Sequence, residues 1–230
     1  FEDETYRMSR SSVERIAIRI AELVDDDSPF APLDINFDFD LWHVGLILRG
    51  LQGERFARRL ADRFGYRAMI APRDEETVWV WLSHPRESAV AGVESLLTKE
   101  MPPSLAAALG EPRAGVDGWR LSHREARVAL QIMLRRPRRL TRGRDVILLA
   151  GILRNDTLVR SLIDAYLVPL ESNGLGGQSL PDTLRAYFSV GGNAAAAAAS
   201  LGATRHTVHR RIKTVQQTLG RPIHSCYSEL

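Results

Sequence analysis

One cysteine, Cys226, stands in 230 residues, so no internal disulfide can form, and the composition suits a reducing cytoplasm. Long apolar runs are missing as well. The longest, Val146–Leu153, is far too short to cross a bilayer, which argues against a membrane partner. The opening Phe1-Glu2-Asp3-Glu4 lacks the cationic-then-apolar layout of a signal peptide, and a start at Phe1 rather than Met predicts an upstream part of the natural protein. Lysine is scarce. Lys99 and Lys213 are the only two, a bias that a GC-rich genome produces without functional cause. What is present is ordinary for a globular chain: 44% apolar and 26% charged residues, 17 Gly and 11 Pro. Those values exclude a wholly disordered or collagenous protein.

The net charge of +3 conceals an asymmetry. Residues 1–112 carry 13 Lys or Arg against 20 Asp or Glu, a net of −7, whereas residues 113–230 carry 18 against 8, a net of +10. A division of that size points to a polyanionic partner for the second half.

The hydrophobic pattern changes character along the chain. Ser9–Val24 reads as a helix, with Ser11 or Ser12 as cap and Val13, Ile16, Ala17, Ile20 and Val24 at helical spacing. Residues 1–40 therefore form a helix and connector. Next comes an α/β alternation: a strand over Leu41–Leu48, a helix over Glu54–Phe64, and strands over Tyr66–Ala71 and Thr77–Leu82 joined by the polar turn Pro72–Glu76. Val78-Trp79-Val80-Trp81 is apolar on both faces and belongs inside the sheet. A helix over Glu87–Lys99, a short strand over Leu105–Leu109 and a turn region over Gly110–Gly118 come next. Ser122-His123-Arg124-Glu125 has the spacing of a capping box and predicts a helix start there, running to about Arg135 before Pro137. From Asp145 only helical patterns remain, which places the domain boundary near Arg144: an α/β domain over 41–144 and a helical one over 145–230.

Leu180–Gly220 carries the functional signal. Pro181-Asp182 opens a helix that Gly191-Gly192 closes. Asn193 caps a second helix of six alanines, Gly202 breaks it, and Thr204 caps a third whose buried stripe is Val208, Ile212, Val215 and Leu219. Small residues let the third helix approach the second, and the glycine allows a tight turn, which is the layout of a helix-turn-helix over 193–219. Opposite the stripe lie His206, His209, Arg210, Lys213 and Gln217, with Thr204, Arg205 and Thr207 at the N-terminal end. Between Asn193 and Pro222 there are five basic residues and no acidic one. A helix end presented to a major groove brings its first residues to base edges and its amides to phosphate. Double-stranded DNA is the expected partner.

The segments Leu184–Phe188, Gly191-Gly192-Asn193 and Leu201–Ile212 resemble the C-terminal helix-turn-helix of the PucR/CdaR family of bacterial transcription regulators, and Gly192–Ile212 has the spacing of the Fis DNA-binding helices. Gly110–Ala126 is similar to the GGDEF-like middle domain of that family. The resemblance implies an α+β chain: an N-terminal GGDEF-like, ferredoxin-like sheet domain followed by an all-α helix-turn-helix domain. It implies base-edge contact from Thr204 and Arg205 and phosphate contact from Thr207, His209 and Arg210. It also implies a cytoplasmic regulator, a homodimer, and a sheet domain that dimerises or senses a small-molecule effector. No cofactor is expected. The family usually carries Asn-Thr where this chain has His206-Thr207, a change that bears on sequence preference.

An alternative reading is a nucleotide-binding or nucleotidyl-cyclase domain with a helical protein-interaction tail. Its hairpin would be Arg73-Asp74-Glu75-Glu76-Thr77, which has acids but none of the glycines that close approach to a phosphate requires. A metal site from His206, His209, His224 and Cys226 would need two separate pairs to converge; the DNA-facing reading already accounts for the first pair. The run Arg135–Arg144 holds six arginines and no acid, as either a solvated connector or a further phosphate contact.

Overall fold

The computed structural model describes residues 37–171 and 179–223, together with Ile18, Ile20 and Glu22–Val24 of an N-terminal helix. The proposed caps and first apolar positions of that helix, Ser11, Ser12, Val13, Ile16 and Ala17, lie outside the described residues, as do His224 and Cys226. The chain divides into two units, residues 1–151 and 152–230, and the helix Gly143–Ile152 runs past the Arg144 position read from the sequence.

Among the described residues the first unit is built on six strands: β1 (Trp42–Arg49), β2 (Arg67–Pro72), β3 (Thr77–His84), β4 (Ala106–Leu109), β5 (Arg113–Ala114) and β6 (Leu140–Arg142). Their order is β2-β3-β1-β4-β6, with β5 also paired to β1, and only β4 and β6 run parallel. The period of two sorts each strand between two cores. Val44, Leu46 and Leu48 of β1 and Val78, Val80 and Leu82 of β3 point to helices α1 (Gly53–Phe64), α2 (Glu87–Ala91) and α3 (Val93–Glu100). Phe56, Leu60, Val90, Val93 and Leu97 meet them there. The predicted Glu87–Lys99 helix is thus two short helices parted at Gly92, the weakest helix former of that segment.

The opposite face receives α4 (Gly115–Arg135) and the N-terminal helix. The capping box expected at Ser122 does not form. Instead α4 begins seven residues earlier, as Gly115 turns with φ 75° and donates its N–H to the Leu41 carbonyl. Ser122 lies inside the helix, and its Oγ accepts the Gly45 N–H at 2.8 Å. Glu125 accepts the Glu111 N–H at 2.8 Å and pairs with Arg113. A local S-x-x-E pattern therefore serves long-range contacts. The helix rides on bare backbone: a Cβ at Gly45 would stand 2.7 Å from the His123 backbone, and one at Gly110 only 1.8 Å from the Ser122 carbonyl. Strand β6 is a further departure from the sequence reading, since three residues, Leu140-Thr141-Arg142, show no readable alternation.

An aromatic stack fills this face. His123 lies between Trp79 and Trp81, with ring centroids 4.4 and 4.3 Å away, and Trp81 stacks on Trp119 at 4.7 Å. Ile20, Leu23 and Val24 close over the cluster, and Arg120 and Arg124 donate to the Leu23 and Val24 carbonyls. Neither ring nitrogen of the fully buried His123 has a hydrogen-bond partner. Burial, reinforced by the Arg127 and Arg73 charges, holds its pKa well below the ordinary histidine value. His43, buried between Ser83 Oγ and the Phe39 carbonyl, is also lowered, first by burial.

The unfolded chain thus protonates before the folded one. Stability is complete above the unfolded histidine value, near 6.5, and falls as pH drops below it, by about 1.4 kcal/mol per pH unit while the folded His123 stays neutral. Urea midpoints between pH 7.5 and 5.5 should fall accordingly. His123→Phe, which keeps the stack, should flatten much of that slope; an unchanged slope contradicts the assignment.

Candidate nucleic-acid interface

The second unit places three helices around a small core: α8 (Leu180–Ser189), α9 (Ala194–Ser200) and α10 (Arg205–Leu219). Each has the cap that its sequence supplies. Ser179 accepts the Asp182 N–H, Asn193 accepts from Ala195 and Ala196, and Thr204 accepts from Thr207 at 3.1 Å. The connections turn on left-handed glycines, Gly191 and Gly192 before α9 and Gly202 (φ 60°) before α10. Ala194, Ala197 and Ala198 are buried against Val208, Ile212 and Val215, and Leu184 and Leu170 complete the core. With no side chain beyond Cβ on its inner face, α9 lets α10 pack closely.

Before α8, a helix over Asp156–Glu171 comprises α6 (Asp156–Leu162), a π turn (Ile163–Leu167) and α7 (Val168–Glu171), after α5 (Gly143–Ile152) of the first unit. Within the π turn the Val168 N–H reaches back to the Ile163 carbonyl, and Pro169 comes immediately after it. Tyr166 and Leu170 are buried, and Arg221 donates to the Tyr166 hydroxyl at 2.8 Å while lying over its ring.

The outward face of α10 carries the residues singled out from the sequence. Arg205, His206, His209, Arg210 and Lys213 are exposed, Thr207 is half-buried, and Thr204 is exposed at the N-terminal end. Among the described residues, Arg205, Arg210 and Lys213 form no ion pair with any acid. Arg211 points elsewhere and reaches the buried Thr183 hydroxyl at 3.3 Å. One contact was not foreseen: Arg205 Nε donates to His209 Nε2 at 3.3 Å. The i, i+4 spacing was legible, but the pairing of two basic side chains was not.

The arginine run divides. Arg142 pairs with Glu94 at 2.7 Å and with Asp145, Arg144 pairs with Glu94 and Glu111 at 3.2 Å each, and Arg139 donates to the Met101 carbonyl. These three tie β6 and its flanks to the first unit, while Arg135, Arg136 and Arg138 remain exposed.

The acids of the β2–β3 hairpin are engaged locally. Asp74 accepts from Glu76 N and Thr77 N at 2.9 and 2.8 Å, and these backbone bonds, that from Glu76 foremost, lower its pKa. Glu76 pairs with Arg49 at 2.9 Å, and Arg49 also donates to Thr77 Oγ1. Sequence reasoning overlooked Arg49 because its partner lies 27 residues away. Among the described residues no three His, Cys, Asp or Glu side chains gather as a metal site, and no helix is long and apolar enough to cross a membrane.

A sheet domain joined to a capped, acid-free helix-turn-helix defines a DNA-binding transcriptional regulator. Comparison with known families agrees: residues 34–132 match the GGDEF-like domain, and residues 180–226 match the PucR C-terminal helix-turn-helix domain. The chain thus carries a GGDEF-like domain and a PucR-type C-terminal helix-turn-helix domain, as expected of a PucR/CdaR regulator. A search of curated proteins finds no match. Among solved structures, a regulator of polyketide synthase expression from Bifidobacterium adolescentis is 17% identical, with 92% of this chain and 86% of that chain covered at a TM-score of 0.44.

Proposed function

We propose that this regulator acts in the cytoplasm as a homodimer that reads duplex DNA through α10. In this reading Thr204 and Arg205 face base edges, Thr207, His209, Arg210 and Lys213 take phosphates, and His206 stands between the two sets. The observation that carries it is the cationic face of α10, whose Arg205, Arg210 and Lys213 have no acidic partner among the described residues. A solvated helix ordinarily mixes its charges; a face of one sign suits a polyanion.

The sheet domain takes the sensing or dimerising role and performs no catalysis. Residues Arg73–Thr77 contain no glycine where a phosphate would need close backbone approach, and Asp74 and Glu76 are committed to the turn and to Arg49. Of two candidate surfaces for dimerisation, the N-terminal helix has Ile20 turned into the chain's own core at 1% exposure. The other is favoured: Ile147, Leu148 and Leu149 of α5 are exposed, Leu148 at 82%, and Leu158, Ile163 and Leu167 are exposed on the next helix. A twofold dimer would place two recognition helices on half-sites about 34 Å apart or a multiple of it.

Three outcomes test this reading. DNA affinity of the full chain should fall with salt by a log–log slope of about −0.9 per phosphate contact, and Arg210→Ala should weaken binding to all sequences alike and make the slope shallower; salt-independent binding contradicts it. Incubation with GTP or ATP and magnesium or manganese should yield no cyclic product, and a product abolished by Glu75→Ala with Glu76→Ala would establish an enzyme. Sedimentation at micromolar concentration should show a dimer that Leu148→Glu dissociates; a wild-type monomer that leaves an asymmetric footprint on its operator refutes the dimer.

A further inference from the structure

The hydrogen bond from Arg205 Nε to His209 Nε2, 3.3 Å long, joins two exposed side chains one turn apart on the outward face of α10. Two basic residues side by side normally repel. This pair is compatible because the imidazole nitrogen that faces the guanidinium accepts, which requires the neutral ring with its proton on Nδ1. The tie also fixes the guanidinium. With Nε engaged, the two terminal amino groups of the exposed Arg205 are left as a fork, the part of arginine that meets guanine O6 and N7 side by side. The Nδ1–H stays available for a phosphate.

We infer that His209 is a positioning residue for sequence recognition: it holds Arg205 in its base-reading orientation through the acceptor nitrogen of its ring. The inference rests on the reading of α10 as the recognition helix. Without that acceptor the tie is lost. Discrimination between sequences then falls more than affinity for DNA in general. The charged neighbours of His209 on α10 are Arg205, His206, Arg210 and Lys213. Of the elements packed against α10, α9 carries no charged residue, α8 carries Asp182 and Arg185, paired with each other at 2.6 Å, and α7 carries Glu171. None of these acids pairs with the α10 face among the described residues.

The test uses the full chain and a duplex selected by it from a random pool, with a scrambled duplex of equal length as reference. The ratio of the two affinities is measured for the wild type, H209Q and H209F. Glutamine offers an acceptor oxygen at similar reach; phenylalanine keeps the ring and removes the acceptor. The H209F ratio should lie about fivefold to tenfold below that of the wild type, part of the worth of a bidentate base contact, with an unchanged melting temperature, and H209Q should restore it. An H209F ratio equal to the wild type, or an H209Q ratio as low as that of H209F, overturns the positioning role. A wild type that enriches no sequence overturns the recognition-helix reading itself, and this inference with it.

Discussion

The first unit depends on a backbone-to-backbone contact: α4 crosses the sheet with nothing between its chain and β1 at Gly45, or between its chain and Gly110. Only glycine permits that approach, and the approach dictates the contacts around it. It brings Ser122 to the Gly45 N–H, a donor left over where β4 has ended and β5 has only just begun. It presses His123 into the gap between two strand tryptophans, and it sets Glu125 where it can hold the return from β4 to β5. Arg120 and Arg124, on the same helix, then receive the end of the N-terminal helix through two carbonyls. Four consecutive residues, Ser-His-Arg-Glu, thereby reach four different parts of the fold.

The helix-turn-helix obtains its close approach differently. Its inner surface is alanine rather than glycine, so the small residues meet side chains instead of backbone, and rigidity comes from three capped helix starts. This suits a reading head. Caps and glycine turns fix where α10 begins, and in the proposed reading the position of its first turn sets which residues meet the bases. The charge asymmetry has a related logic, because the described acids of the first half are exposed or tied to arginines while the α10 face has none.

Legibility from the sequence tracked the range of the interactions. The helix-turn-helix was readable nearly to the residue, since its caps, turns and alanine face lie within 30 residues of one another and obey local rules. The strands β1, β2 and β3 announced themselves by short apolar runs and by the polar turn between the latter two. Ser122–Glu125 misled because its spacing satisfies a local motif while its partners, Gly45 and Glu111, are remote in sequence. For the same reason Arg49 was invisible, and the arginine run, uniform on paper, separated into structural and exposed members only once Glu94 and Glu111 were in place. β6 was too short to show a period.

The π turn in the helix over Asp156–Glu171 has a consequence for how such a chain can change. It accommodates one residue more than an α-helical turn would, just ahead of Pro169, whose missing N–H could not have continued the ordinary ladder. The buried Tyr166 and Leu170 fix the downstream phase. Removal of a single residue within Ile163–Leu167 would restore regular winding and leave Leu158 and Tyr166 on nearly the same sides of this helix, because the wider turn already absorbs the extra residue. A one-residue length change at this point is thus absorbed within one turn, available to evolution without rotation of the flanking helix faces.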